Sequence, residues 1–132
     1  KYTNKIIRYS KDSPNIKIIN STGIMEKIMS ICDIAISSNG RTVYELCHMR
    51  IPSIIISQNQ REQSHLFSKY KNGFINLGYF NSKNFLSDVL KQFIQLNEND
   101  TLRKKLFDHQ SKFSFEQGRK NYYTLITKLI NS

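Results

Sequence analysis

The 132-residue sequence contains no tryptophan, only two cysteines and two prolines, and half as many acidic as basic residues. Cys32 and Cys47 lie on separate segments without CxxC spacing, so their number excludes a disulfide scaffold and a cysteine-based zinc site. We expect both to be buried free thiols in a reducing cytoplasm. No apolar run approaches the ~20 residues of a bilayer-spanning helix, and none has the form of a signal peptide. These absences predict one soluble, cytoplasmic domain without a transmembrane segment.

The net charge of +10 comes mainly from the two ends of the chain. Residues 1–20 contain five basic and one acidic residue, residues 101–132 contain seven and two, and the middle of the chain contains eight and seven. A dedicated nucleic-acid-binding domain usually concentrates its basic residues on one face. We therefore interpret the basic ends as solvated helix faces and do not expect a nucleic-acid partner, although such binding remains the alternative.

Short apolar runs alternate with helical spacing over the first eighty residues. Strands are predicted at Ile16–Ile19, Asp33–Ser38, Pro52–Ile56 and Phe74–Leu77. Helices are predicted at Met25–Met29, at residues 41–49 and at residues 66–73, the last ending at Gly73. The run Pro52–Ile56 is apolar on both faces, as in a strand buried within a parallel sheet. The alternation predicts an α/β fold, with a parallel sheet flanked by helices.

Beyond Gly78 the pattern is helical only, so residues 79–132 are predicted to be a helical tail of the single domain 1–132. Apolar residues from Phe85 to Ile94 recur at positions i, i+1, i+4 and i+5. We expect Asp100 to cap a second helix and Gly118 to interrupt the chain before the last one. At the other end, Lys1 stands in place of an initiator methionine and residues 2–11 resemble the end of a helix. We therefore expect the chain to be part of a longer protein.

The turn after the Asp33–Ser38 strand is the first candidate binding site, because open α/β sheets bind ligands at the carboxyl ends of their strands. It leads into a helix, where unpaired backbone N–H groups favour a phosphate. Gly40 permits close approach of the backbone, Asn39 tolerates a left-handed conformation, and Arg41 could pair with a phosphate. Ser38 and Thr42 offer hydroxyl groups. An ordinary strand-to-helix connection is the alternative.

Polar residues further along extend this candidate site. Glu45 lies one helical turn later, where a carboxylate could accept both hydroxyls of a ribose; a surface glutamate is the alternative. Amides after the Pro52–Ile56 strand could bind sugar hydroxyls, or form a solvated loop, and these are Asn59, Gln60 and Gln63. His65 is close enough in sequence to face the same ligand. The sequence contains no metal cluster, no cofactor motif and no complete catalytic constellation.

These segments together resemble the C-terminal, donor-binding half of GT-B-type nucleotide-sugar enzymes. The branch most similar contains the UDP-sugar hydrolase of pseudaminic acid biosynthesis and the spore-coat polysaccharide proteins. The lipid II-forming N-acetylglucosaminyltransferase is a more distant relative. The resemblance covers about half of the chain, with the motifs in the family's order: Asn15–Ile19, Met25–Met29, Cys32–Leu46, Ile51–Ser53, Asn59-Gln60 and Gly73. The family often has Gly-Gly at Asn39-Gly40 and a small residue at Arg41.

The resemblance implies that the loop Ser38–Thr42 holds a nucleotide diphosphate and that Glu45 binds the ribose. Asn59, Gln60 and Gln63 would then lie near the sugar or its diphosphate. We expect no cofactor. It also implies that the catalytic base lies in an N-terminal domain which this chain does not contain, so the chain alone should be inactive. The first strands of the C-terminal half are also missing from the pattern. We expect either a rearranged sheet or a homodimer in which a partner copy completes the sheet.

The resemblance thus implies the donor-binding domain of a UDP-sugar hydrolase or glycosyltransferase of surface polysaccharide or nonulosonic acid biosynthesis. Two other classes of protein fit the pattern. One is a non-catalytic, receiver-like α/β interaction module that works through its helical tail, although Asp33 stands at the start of its strand rather than at the end. The other is a nucleic-acid-binding domain that uses the basic ends.

Overall fold

A computed structural model describes residues 2–11, 13–19, 23, 25–80, 84–115 and 117–130. Within these ranges the strands are β1 (Ala35–Ser38), β2 (Ser53–Ser57) and β3 (Phe74–Tyr79). The α-helices are α1 (Tyr2–Lys11), α2 (Met25–Met29), α3 (Thr42–His48), α4 (Gln60–Gln63), α5 (Phe85–Glu98), α6 (Asp100–Gln110) and α7 (Gly118–Ile130). The predicted fold class is confirmed: helices flank a parallel sheet in an α/β, Rossmann-like arrangement, and the chain ends in a helix.

The described strands form one sheet in the order β1-β2-β3, and both pairs are parallel. Ile54 of the central strand β2 is aligned with Ile36 of β1 and with Ile75 of β3. Ile54 and Ile55 are fully buried, one towards each face of the sheet. The continuous apolar run is therefore explained by burial of both faces.

Each face of the sheet has its own apolar core. On one face, Ile55 packs with Val43 and Leu46 of α3 and with Phe74 of β3. On the other face, Ile54 packs with Leu96 of α5 and Leu106 of α6. Burial of such large side chains contributes about 1.5–3 kcal/mol each to the free energy of unfolding. The packing places α3, and with it the turn that precedes it, on one face of the sheet.

Gln110, at the end of α6, is fully buried and connects this helix to the starts of two strands. Its Nε2 donates hydrogen bonds of 3.0 Å to the carbonyl oxygens of Ile51 and Gly73. Gly73 has a φ of +90°, a left-handed conformation that suits glycine. The chain therefore turns sharply into β3 directly beneath α6.

The predicted strand at Ile16–Ile19 is wrong. These residues have no regular secondary structure, and Ile16 and Ile19 remain about half exposed. Among the described residues no strand lies beside β1 on its outer side, so nothing there supplies ladder hydrogen bonds or an apolar surface to cover. An apolar β-branched run does not form a strand without such a neighbour.

Four smaller predictions from the sequence also differ from the structure. Residues 66–73 do not form an α-helix: the only regular element in this segment is a 3₁₀ turn at Tyr70–Asn72, closed by Gly73. Asn99 rather than Asp100 caps α6, because its side chain accepts a hydrogen bond from the Leu102 amide. Gly118 begins α7 instead of interrupting the chain before it. Cys47 is buried as expected, but Cys32 is exposed.

Candidate functional site

The turn between β1 and α3, residues 38–42, has unpaired hydrogen-bond donors. Arg41 occupies the N-cap position of α3 in a helical conformation, and no side chain caps the helix. Within the described ranges, the backbone N–H groups of Gly40, Arg41 and Thr42 have no hydrogen-bond acceptor. The Arg41 side chain is exposed, whereas Ser38 and Thr42 are half-buried. Three amides beside a guanidinium can hydrogen-bond an anion directly.

Asn39 has a different environment from its neighbours. It is fully buried, and its Nδ2 donates to the carbonyl oxygens of Glu62 (2.6 Å) and His65 (3.2 Å). Its Oδ1 accepts a hydrogen bond of 2.6 Å from the Ser68 hydroxyl. Neither Asn39 nor Gly40 has a left-handed backbone, contrary to the expectation from their residue types. The Asn39 side chain therefore fixes the turn from inside and cannot face a ligand.

His65 contacts the same turn through its ring. Its Nδ1 lies 2.7 Å from the Asn39 carbonyl oxygen, which can only accept, so Nδ1 carries the proton. In the neutral ring, Nε2 is then an acceptor. His65 and Gln63 are exposed and line a cleft of about 440 Å³, together with Lys69 and Asn76. This cleft offers hydrogen-bonding groups suited to hydroxyls.

Glu45 lines a different cleft. This cleft, of about 380 Å³, lies between α2 and α3, and its other lining residues are Met25, Glu26, Met29, His48 and Met49. All three methionines of the chain thus contribute to its walls. The Glu45 side chain is exposed and has no ion-pair partner among the described residues. A carboxylate beside methionine side chains can bind hydroxyls of a ligand whose apolar part contacts the methionines.

The short helix α4 is held by its own capping interactions. Asn59 Oδ1 accepts a hydrogen bond of 2.9 Å from the Glu62 amide, and Glu62 Oε2 accepts one of 2.9 Å from the Gln58 amide. Asn59 therefore has a structural role, whereas Gln60 and Gln63 are exposed. The spacing Asn59-x-x-Glu62 is typical of a capping box and could have indicated this helix start from the sequence.

Glu62 also introduces a negative charge beside the turn. A Cβ atom placed on Gly40 would lie 4.0 Å from Glu62 Oε1. An anion bound by residues 40–42 would therefore be repelled from the Glu62 side and favoured near Arg41. This carboxylate was not among the site residues predicted from the sequence, which in this segment were Asn59, Gln60 and Gln63.

The structure thus does not bring all the predicted site residues to one place. The turn 38–42 contributes donors, Glu45 opens onto the methionine-lined cleft, and Gln63 and His65 open onto the second cleft. Asn39 joins the turn to the segment 62–68 but is itself buried. Asn59 is occupied as a helix cap. The accessible candidates are accordingly Ser38, Arg41, Thr42, Glu45, Gln60, Gln63 and His65, with the backbone of Gly40.

The described residues include no cysteine suited to nucleophilic chemistry within the turn or its clefts. Burial raises the pKa of Cys47 to about 11, so its thiol stays protonated at neutral pH. No group of three or more His, Cys, Asp or Glu side chains in the described ranges is placed to hold a metal ion. In the same ranges, no helix is both long and apolar enough to cross a bilayer.

Comparisons of the chain with protein-family models, with curated proteins and with solved structures give no match.

Proposed function

We propose that this chain binds a nucleotide-diphosphate sugar, with UDP-sugars as the expected class. It would be the donor-binding part of a cytoplasmic hydrolase or glycosyltransferase of surface polysaccharide or nonulosonic acid biosynthesis. The observation that carries the proposal is the position of Glu45. Its carboxylate opens onto a cleft one helical turn beyond three unpaired amides at the carboxyl end of β1. In a nucleoside diphosphate the ribose is bonded to the diphosphate, so groups one helical turn apart could bind the two parts.

The diphosphate would be bound by the turn 38–42. The N–H groups of Gly40, Arg41 and Thr42 would donate to its oxygens, with the Arg41 guanidinium and the Thr42 hydroxyl beside them. Because α3 has only seven residues, direct hydrogen bonds matter more here than a helix dipole. The buried Asn39 supports this role by holding the turn in place before the ligand arrives.

The nucleoside would occupy the cleft beside Glu45. The carboxylate would accept hydrogen bonds from the two ribose hydroxyls, and the methionine-lined wall would contact the base. Thioether side chains are polarizable and adapt to flat rings. The geometry does not distinguish uracil from cytosine, so the choice of UDP rests on the family resemblance.

The sugar would be bound from the side of α4. Gln60 and Gln63 are exposed, and the His65 ring, which contacts the Asn39 carbonyl oxygen through Nδ1, has Nε2 free to hydrogen-bond a hydroxyl. Asn59 would contribute only its amide nitrogen, since its oxygen caps α4. These amide and imidazole groups would bind the sugar and would not carry out the reaction. The base that activates water or an acceptor hydroxyl would come from an N-terminal domain of the intact enzyme.

The open edge of β1 supports the proposed completion of the sheet by a partner copy. The amides of Ala35 and Asn39 donate to the carbonyl oxygens of Pro52, directly before β2, and of Ile56 in β2. By alternation, the N–H and C=O of Ile36 point away from β2. No described strand covers that side. A second copy could pair there through main-chain hydrogen bonds.

The proposal is tested by calorimetric titration of the chain with UDP, UDP-N-acetylglucosamine, CMP and inorganic pyrophosphate. We expect UDP to bind more tightly than pyrophosphate, and Glu45→Gln to weaken UDP about tenfold without changing pyrophosphate binding, because only the ribose contact is lost. Glu98→Gln, an exposed substitution at the end of α5, is the matched control. Equal affinities of the Glu45→Gln variant and the control for UDP, or no binding of any nucleotide, would refute the proposal.

A further inference from the structure

The second cleft, which Gln63 and His65 line, adjoins the turn proposed to bind the diphosphate. His65 belongs to both, because its Nδ1 lies 2.7 Å from the carbonyl oxygen of Asn39 and its ring forms part of the cleft wall. The cleft volume of about 440 Å³ is within the range of about 300–1,000 Å³ for small-ligand sites. In a nucleotide sugar, the sugar is bonded to the outer phosphate. A diphosphate bound at residues 38–42 would therefore bring its sugar to this cleft, an inference that rests on the proposed function.

The fixed charges around the second cleft are positive. Of the described residues that line it, Lys69 alone is a lysine, arginine, aspartate or glutamate. Its side chain is exposed and has no ion-pair partner within the described ranges. Lys105 of α6 adds a second ammonium group, whose Nζ lies 5.4 Å from the centre of the Tyr70 ring in the cleft wall. Residues 63–87 contain three lysines and no Asp or Glu, so a negatively charged ligand is favoured here.

The hydrogen-bonding groups of the cleft include more available donors than acceptors. The Asn76 side chain already donates to the Ser68 hydroxyl and accepts from the Gly78 amide, both at 2.7 Å. Gln63 and Lys69 make no side-chain hydrogen bond to another described residue. The lysine ammonium has three N–H donors and no acceptor. A sugar hydroxyl would satisfy one of these donors but would leave the charge unpaired, whereas a carboxylate satisfies both.

We propose that the second cleft selects a sugar that bears a carboxylate, as in a nucleotide-linked uronic acid. The Lys69 ammonium pairs with the carboxylate, while the Gln63 amide and the His65 ring hydrogen-bond the hydroxyls. A hydrogen bond between two charged groups is roughly twice as strong as one between neutral groups. Lys69 thus determines specificity between acidic and neutral sugars and takes no part in the reaction.

The test is calorimetric titration of the full chain with UDP, UDP-glucose and UDP-glucuronic acid. The two sugars differ only at C6, where a hydroxymethyl group replaces the carboxylate. We expect UDP-glucuronic acid to bind about fivefold more tightly than UDP-glucose, as for an ion pair open to solvent. Lys69→Gln should abolish this preference without changing the affinity for UDP, and Lys69→Arg, which retains the charge, should preserve it.

Lys71→Gln is the matched control, because Lys71 is exposed, carries the same charge and is not among the residues that line the cleft. The control should keep the preference for the acidic sugar, and circular dichroism establishes that each variant is folded. An equal loss of preference in Lys69→Gln and Lys71→Gln would overturn the inference, since net charge alone would then attract the acid.

The outcomes also separate this inference from the proposed function. Equal affinities of the wild type for the two sugars, with UDP still bound and weakened by Glu45→Gln, would overturn the selection of an acidic sugar and leave the nucleotide site in place. Failure of all three nucleotides to bind would overturn the proposed function and this inference with it.

Discussion

The Ser68 hydroxyl donates a hydrogen bond of 2.6 Å to Asn39 Oδ1 and accepts one of 2.7 Å from Asn76 Nδ2. This buried relay connects the turn after β1 to the segment that precedes β3 and to β3 itself. Buried amides and hydroxyls are costly unless each is paired, so the network specifies one arrangement of the three segments. The turn proposed to bind the diphosphate is therefore held in place from inside by the buried Asn39 side chain, which does not face the ligand.

Replacement of Asn39 by alanine should be strongly destabilising. It removes the donors to Glu62 and His65 and leaves the Ser68 hydroxyl without its acceptor in a buried site. We expect a loss of about 2–4 kcal/mol in the free energy of unfolding, measured by urea denaturation. Asn59→Ala, which removes only an exposed helix cap, should cost about 1 kcal/mol and serves as the control. Equal losses for the two variants would contradict the central role of Asn39.

A second prediction concerns Gly73, whose backbone is left-handed at φ +90°. A Cβ atom there would lie 2.5 Å from the Leu106 carbonyl oxygen and closer still to Gln110 Cγ. Gly73→Ala should therefore lower the free energy of unfolding by more than about 2 kcal/mol, as measured by thermal or urea unfolding. Gly118→Ala, at an open position, should have little effect. Gln110→Ala should not rescue Gly73→Ala, because the backbone oxygen of Leu106 remains.

The two cysteines should react at very different rates with a thiol reagent. Cys32 is exposed, whereas burial raises the pKa of Cys47 to about 11, so that roughly one Cys47 in a thousand is a thiolate at pH 8. We expect one thiol per chain to react rapidly with Ellman's reagent at pH 8 and the second only after denaturation. Cys32→Ser should abolish the rapid phase. A rapid phase that persists in Cys32→Ser would show that Cys47 is accessible.

The raised pKa of Cys47 also predicts that the free energy of unfolding changes with pH in the alkaline range. The pKa of Cys47 is higher in the folded chain than its ordinary value of 9.0, so the folded state retains a proton that the unfolded state loses. The contribution of Cys47 to the free energy of unfolding is thus complete below about pH 9 and falls as the pH rises towards 11. Urea unfolding of the wild type and of Cys47→Ala over pH 8–10.5 should show a shallower decline in the variant. Parallel declines would contradict the prediction.

Self-association through β1 should depend on the open edge of the sheet. A charged side chain on an edge strand opposes pairing with another strand, so Ile36→Lys should convert a dimer of this protein to a monomer in sedimentation equilibrium. Ile31→Lys introduces the same charge at an exposed position outside the strands and should leave the dimer intact. A wild-type chain that stays monomeric at high concentration would contradict sheet completion by a partner copy.

The sheet could be predicted from the sequence because its strands satisfy both local and packing requirements. Ile54 and Ile55 lie in a β-branched run, and their burial on opposite faces agrees with that local preference. Ile16–Ile19 has the same local composition but no neighbour, and no local pattern reveals whether a neighbouring strand exists. Whether a segment forms a strand depends on the strand beside it, so the prediction for Ile16–Ile19 was wrong.

The candidate site could be predicted only in part, for a similar reason. Residue types indicated a polar turn at 38–42, and the structure shows unpaired amides there. They did not indicate that Asn39 points inward, because this depends on Ser68 and Glu62, which lie more than twenty positions away. The methionine-lined cleft at Glu45 likewise arises from the packing of α2 against α3.

Two charges beside the turn should affect nucleotide affinity in opposite directions. Arg41 is exposed next to the unpaired amides, so Arg41→Gln should weaken UDP and pyrophosphate about fivefold through loss of a solvent-exposed ionic contact. Glu62 Oε1 lies close to Gly40, where its charge would repel a bound anion. Glu62→Gln removes this repulsion while its amide oxygen can still accept from the Gln58 amide, so affinity should rise about two- to fivefold. Titrations in low salt measure both changes, with Arg61→Gln on the exposed surface of α4 as the control for net charge. A uniform loss in all three variants would mean that the anion does not bind at this turn.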